Sequence, residues 1–262
     1  MSRIGNTLKC AALVAAIVPI ALGCAKKEDA PARPTASRTA PTQTVAAPSG
    51  GTASIGGSVN FTGTAPAMGP IDMAADPVCT KLHTSAVPYQ EAVVNENGTL
   101  ANVIVYVKSG LTGSYEAPAE ASVLDQAGCQ YTPHVSAVQA GQTLRILNSD
   151  ATLHNVLASP SVNAGFNKAM PVKGMKIDHT FEDAEPTPVR LKCQVHPWMT
   201  AYIGVFDHPF FSVTGDDGSF SIKNLPAGTY TIAAWHEKYP EQTAEIQVAD
   251  GQAATAEFSF GS

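Results

Sequence analysis

The sequence predicts an all-β protein, on three observations. Apolar residues alternate at period two in short runs, such as Ile55, Gly57, Val59 and Phe61, or Val189, Leu191 and Cys193, which places their side chains on one face of a strand. Turn-forming clusters such as Gly215-Asp216-Asp217-Gly218 and Leu225-Pro226-Ala227-Gly228 separate such runs, at the roughly 8–12-residue spacing of β-sandwiches. Apolar residues at helical spacing are scarce.

The first residues are predicted to lie outside the fold. Arg3 and Lys9 precede an apolar stretch, Ala11 to Leu22, that is broken by Pro19. The stretch is too short to span a bilayer and has the form of a secretory signal, residues 1–23. Ala21-Leu22-Gly23-Cys24 resembles the lipobox of bacterial lipoproteins, which implies a lipid on Cys24; ordinary signal cleavage is the alternative. Residues 24–51 are rich in Pro, Ala, Thr and Ser with few bulky apolar residues, the composition of a disordered tether. The expected location is the cell envelope, exported and anchored to a membrane. Removing residues 1–23 removes two positive charges and no negative ones, so −6 becomes −8. An acidic chain argues against nucleic acid as a partner.

Along the rest of the chain, Ile55 to Phe61 reads as a first strand and Ile71 to Tyr89, punctuated by prolines, as no element. Leu100 to Val107 is apolar on both faces, a strand buried between two layers. Val123 to Val138 and Gln142 to Leu147 follow, the latter broken at Asn148-Ser149-Asp150. Asn163 to His179 reads as loop. Val189, Leu191 and Cys193 alternate with Arg190 and Lys192, which aims the Cys193 thiol inward, and Ala201 to Phe206 is the next strand. Phe220 and Ile222, Tyr230 and Ile232, Ile246 and Val248, and Phe258 and Phe260 mark the final strands. Five cysteines occur. With Cys10 in the signal, Cys24 lipidated and Cys193 a candidate ligand, Cys79 and Cys129 remain for a disulfide in an oxidising compartment. A metal site is the rival, since His83 follows Cys79 and His134 follows Cys129.

The chemistry concentrates in Cys193-Gln194-Val195-His196-Pro197-Trp198-Met199. A thiolate, an imidazole and a thioether fall in one short loop spaced C-x2-H-x2-M, and Leu153-His154-Asn155-Val156 supplies a second imidazole. These are the ligands of a blue-copper site, which suits both oxidation states of the ion because a trigonal thiolate and two imidazoles with a weak thioether need little rearrangement. Pro197 would stiffen the loop. Trp198 would cover the site, or serve as an ordinary apolar anchor. His83, His134, His179, His208 and His236 have no partners at ligand spacing and read as surface or core residues. One cysteine in the loop excludes a dinuclear copper centre, and the absence of His-x-His pairs and of HExxH excludes a multicopper oxidase and a zinc peptidase. The expectation is that the protein is not an enzyme.

From Leu144 to Val205 the chain resembles a cupredoxin, on NSDATLHNV and CQVHPWM, with a loop most like the amicyanin type. The resemblance implies a Greek-key β-sandwich holding one type 1 copper ion. His154, Cys193 and His196 would be its equatorial ligands, Met199 its axial one, and Asn155 would brace the ligand loop. It also implies single-electron transfer with a cytochrome or an oxidoreductase, His196 on an exposed loop being the electron port. TGDDGSFSIKNLPAGTYTIAAWHE resembles the carboxypeptidase regulatory-like domain, a smaller transthyretin-like sandwich. The expected division is a copper domain over 119–206 inserted in a sandwich of 52–118 plus 207–262; otherwise 52–118 belongs to the copper domain. The alternatives are a copper-delivery lipoprotein without a redox role, or an adhesion sandwich that has lost its metal.

Overall fold

The computed structural model describes residues 50–261. The expected signal peptide, the lipidated Cys24 and nearly all of the tether lie outside them. In chain order the elements are β1 (Ala53–Thr62), α1 (Pro77–Lys81), β2 (Ile104–Ser109), β3 (Ser122–Gln126), β4 (Tyr131–Thr132), β5 (Val135–Gln139), β6 (Thr143–Asn148), β7 (His154–Ala158) and β8 (Phe166–Met170). Then come β9 (Lys176–Thr180), β10 (Val189–Lys192), β11 (Thr200–Phe206), β12 (Phe211–Val213), β13 (Ser219–Leu225), β14 (Gly228–Trp235), β15 (Gln242–Val248) and β16 (Ala253–Gly261). The protein is all-β, as its alternation predicts.

The strands form four sheets that enclose two main cores. One pair, β5-β11-β10-β7-β8 and β4-β3-β6-β9, closes on Leu124, Leu144, Ile146, Val156, Leu191 and Ile203. The other, β13-β1-β16 and β12-β2-β14-β15, closes on Ile55, Val105, Phe220, Ile232, Phe258 and Phe260. Burial of each such side chain contributes about 1.5–3 kcal/mol. A smaller cluster of Ile104, Val135, Ala137, Phe206 and Phe211 joins strands of both. β1 lies between β13, antiparallel, and β16, parallel. There Gly57 is required by space, because a Cβ would stand 1.7 Å from the Ala256 carbonyl oxygen.

Two regions differ from the sequence reading. Residues 163–179, read as loop, contain β8 and all of β9 but its last residue. Their side chains are mostly exposed or half-buried and both strands lie at sheet edges, where solvated polar residues blunt the periodic signal. The segment from Ile71 to Tyr89, assigned no element and grouped with the second sandwich, carries α1 and packs on the first core through Ile71, Met73, Cys79 and Val87. α1 begins as helices often do, with Asp76 capping the Val78 N–H and Pro77 at the first position.

His236, just beyond β14, is 2% exposed, and its ring stacks on Tyr239 at 5.0 Å. Its Nδ1 accepts from the Lys238 N–H, while Nε2 has no partner. Burial pushes its pKa down to about 4. A depressed histidine contributes stability above its unfolded value near 6.5 that is lost as pH falls through the folded value. Equilibrium unfolding should therefore show a loss approaching ~3 kcal/mol from this group between pH 6.5 and 4. His236→Phe should flatten that part of the profile, and an unchanged slope would refute the assignment.

Candidate metal centre

The loop from Cys193 to Met199 spans the gap between β10 and β11, two antiparallel neighbours in register from Val189↔Ile203 to Lys192↔Thr200. Val189 and Leu191 are buried and Arg190 and Lys192 exposed, so the alternation carries Cys193 inward, where it is 3% exposed. The loop closes on itself: the Cys193 N–H donates to the Met199 carbonyl (3.2 Å) and the Met199 N–H to the His196 carbonyl (2.9 Å). The His196 N–H points at the Cys193 sulfur (3.3 Å). A two-residue gap is what lets one tight turn return the imidazole over the thiol. Met199, also buried, joins the core beneath.

His154 opens β7, the strand beside β10, and is wholly buried. One ligand atom each from His154, Cys193 and His196 lies within 4.8 Å of the other two. The Nδ1 atoms of the two histidines stand 2.9 Å apart. The outer nitrogen of each ring faces a carboxylate: His154 Nε2 donates to Asp150 (3.0 Å) and His196 Nε2 to Asp76 (2.9 Å). With the proton of each ring on Nε2, the two Nδ1 lone pairs face each other, an arrangement that favours a shared cation. Burial opposes a charge on His154, but bonds to Asp150 and Cys193 outweigh it and hold the imidazole up at about 9. Burial likewise opposes the Cys193 thiolate, yet its bonds to His154 and to backbone N–H groups bring the thiol below its usual range.

The hydrogen bonds around these three side chains are specific as well. Asn155 Oδ1 accepts from the Gln194 N–H (2.6 Å) and lies 3.4 Å from the Cys193 sulfur, so its side chain ties β7 to the loop. Tyr131 donates to the Asn155 carbonyl (2.6 Å). Asp150 accepts from the N–H groups of Gly128 (2.8 Å) and Cys129 (2.7 Å). Asp76 accepts from Thr152 Oγ1 (2.8 Å) as well as His196. Burial works against its ionisation, but these bonds carry its carboxyl down to about 2.

Asp76 and Asp150 were not singled out by the sequence reading. The signals available were the Asp76-Pro77 helix start and the Asp150-x3-His154 spacing, each of which reads equally as turn chemistry. Cys79 and Cys129 are joined in a disulfide, S–S 2.00 Å. His83, half of the rival metal reading, hydrogen-bonds the Gly128 carbonyl (2.8 Å). His134 faces the Thr200 carbonyl and the Glu237 carboxylate. His179 packs between Phe166 and Phe181, and His208 is buried against the Val107 carbonyl.

The expected exposed electron port is corrected. His196 is 2% exposed because the α1 segment lies over it: Asp76 takes its outer nitrogen and Cys79 Sγ stands 3.6 Å away. Trp198, expected to cover the site or anchor the loop, is half-buried beside His196. Its ring is 5.0 Å from that of His196, and its Nε1 donates to the Cys129 carbonyl (3.0 Å). A cavity of about 450 Å³ has Pro197, Trp198 and Met199 in its wall, with Tyr89, Tyr131 and His134 around it.

Residues 201–261 match the carboxypeptidase regulatory-like domain, covering β12 to β16 and most of β11. No curated protein matches the chain. Among solved structures it is similar to cupredoxins. One is a copper(I) form of an amicyanin variant, 24% identical over 38% of this chain and 97% of that one, TM-score 0.30. Another is a purple cupredoxin from Nitrosopumilus maritimus, 22% identical over 32% and 98%, TM-score 0.27. A copper-containing nitrite reductase from Thermus scotoductus SA-01 is 19% identical over 39% of this chain and 25% of its own, TM-score 0.29.

Proposed function

We propose that this chain binds one copper ion at His154, Cys193 and His196, with Met199 as the weak fourth ligand, and that it carries single electrons. The observation that carries the reading is the pair of Nδ1 atoms 2.9 Å apart, both outer nitrogens held by carboxylates, beside a buried thiol. That arrangement favours a positive centre and offers it a soft thiolate with two imidazoles, the donor set of a type 1 copper site. Bound copper would supply one-electron chemistry. The protein's part is to fix the donors: Asn155 holds the ligand loop to β7, and the disulfide-linked α1 segment excludes water from the His196 edge. Electrons would enter or leave at the Pro197–Met199 wall. In this reading the protein acts at the cell envelope, held to a membrane through a lipid on Cys24, and exchanges electrons with a cytochrome or an oxidoreductase.

Copper loading tests the reading. The copper(II) form should bind one ion per chain, absorb intensely in the visible through thiolate-to-copper charge transfer, and cycle reversibly by voltammetry without losing metal. A colourless one-to-one complex would exclude the type 1 assignment. Colour with loss of copper(I) to a chelator would favour a delivery role.

A further inference from the structure

The cavity beside the ligand loop carries chemistry that the metal centre does not use. Its volume, about 450 Å³, falls in the range of about 300–1,000 Å³ that holds small-molecule ligands. Tyr89 and Trp198 bring aromatic surface to the wall, and Pro197 adds more apolar area. Set in the same wall are His134, from the turn between β4 and β5, and Glu237, from the segment after β14. Their side chains are 9% and 8% exposed. The Thr200 carbonyl, 3.0 Å from His134 Nδ1, can only accept, so Nδ1 carries a hydrogen. His134 Nε2 meets the Glu237 carboxylate, so a second proton lies on that bond; whichever atom holds it, the pair has no net charge. The exposed Arg190 and Glu91, also in the wall, have opposite signs and are both engaged. The Arg190 guanidinium lies 6.0 Å over the Tyr202 ring, and Glu91 stands 3.8 Å from Lys238.

We propose that this cavity binds a neutral hydroxyaromatic molecule of one or two rings, its ring against Trp198 and Tyr89 and its hydroxyl donating to Glu237. Each part of that ligand follows from the wall. Balanced charge leaves an ionic ligand nothing to offset its desolvation, whereas a neutral ring gains contact with the aromatic side chains. Glu237 already accepts from His134 and Tyr202, but a carboxylate has about four lone-pair positions, so it can take a further O–H. That bond is charge-assisted and stronger than one between neutral groups. His134 is a positioning residue: the Thr200 carbonyl fixes its ring, and the ring fixes the carboxylate. No donor atom of the metal centre takes part, so the proposal stands apart from the copper reading.

Titration of the full, metal-free protein with 2-naphthol, followed by calorimetry and NMR, is the test. One molecule should bind per chain, with nuclear Overhauser contacts to the Trp198 indole. 2-Methoxynaphthalene has the same rings but no O–H, and should bind about 10-fold more weakly or worse. Charged analogues, 2-naphthoate and 2-naphthylmethylammonium, should also bind more weakly than 2-naphthol. Glu237→Gln keeps an oxygen for His134, so circular dichroism should show the fold unchanged, while the preference for 2-naphthol over its methyl ether should shrink about fivefold. Trp198→Ala should weaken both alike. Absence of saturable 2-naphthol binding would overturn the proposal, as would equal affinity for the methyl ether or tighter binding of either charged analogue. So would a preference that Glu237→Gln leaves untouched. The wild-type comparison needs no variant and decides the case even if Glu237→Gln unfolds the chain. Because no copper is present, failure here leaves the reading of the metal centre as it stands.

Discussion

Cys193→Ser should abolish the visible absorption of the copper-loaded protein altogether, because the band arises from the thiolate and serine has no counterpart. Among the described residues Cys193 is the free cysteine, so no other thiol among them can take over the role. Serine is nearly isosteric and still accepts the His196 N–H that now points at the sulfur, so β10 and β11 should pair as before and the melting temperature of the metal-free protein should move little. Copper affinity should fall by more than the 10–100-fold expected for loss of a supporting residue. Any remaining complex should show the wide hyperfine splitting of ordinary copper(II) in its EPR spectrum. Colour that survives the substitution would place copper elsewhere.

Asp150→Asn should weaken copper binding about 10–100-fold while leaving the ligands themselves intact. The carboxylate orients His154 through Nε2 and increases its basicity; an amide can accept one hydrogen bond but must turn an NH2 toward a donor. With the N–H groups of Gly128 and Cys129 and His154 Nε2 all aimed at this side chain, at least one donor loses its acceptor, at about 1–3 kcal/mol. The reduction potential should rise, since a less basic imidazole favours the divalent ion less. Asp76→Asn should act in the same direction through His196, but more weakly, because Asp76 is partly exposed and water can substitute. Competition titration against a copper chelator and voltammetry would measure both. Equal affinity in wild type and Asp150→Asn would show that the carboxylate only shapes the 127–130 turn.

The sequence made legible the parts of this site that lie on one strand and one loop. Period-two alternation through Val189 and Leu191 sets the inward aim of Cys193, and the C-x2-H-x2-M spacing fixes what the turn after it can bring together. Asn155 was legible because it neighbours His154. The second layer was not, because it is built by tertiary contact. Asp76 lies 120 residues from His196, and no local pattern announces that a short helix from a proline-rich stretch will settle on a ligand. For the same reason His196 read as exposed: loop residues near a strand end usually are, and the cover comes from a distant segment. The edge strands β8 and β9 escaped because solvation at a sheet edge removes the alternation that marks a strand.

The place of β1 between β13 and β16 has a consequence for biogenesis. Its nine-residue parallel register with β16, Ser54↔Ala253 to Thr62↔Gly261, cannot form until the far end of the chain is available. All nine strands of the sandwich that carries Cys193, β3 to β11, are in place by Phe206. As the chain emerges, that sandwich can condense first, while β1 waits unpaired at the other. The early strand is an open edge during this interval, the form in which β-structure is most prone to aggregate. Deleting β16 should therefore cost yield through aggregation while leaving the sandwich that carries Cys193 able to fold and colour with copper.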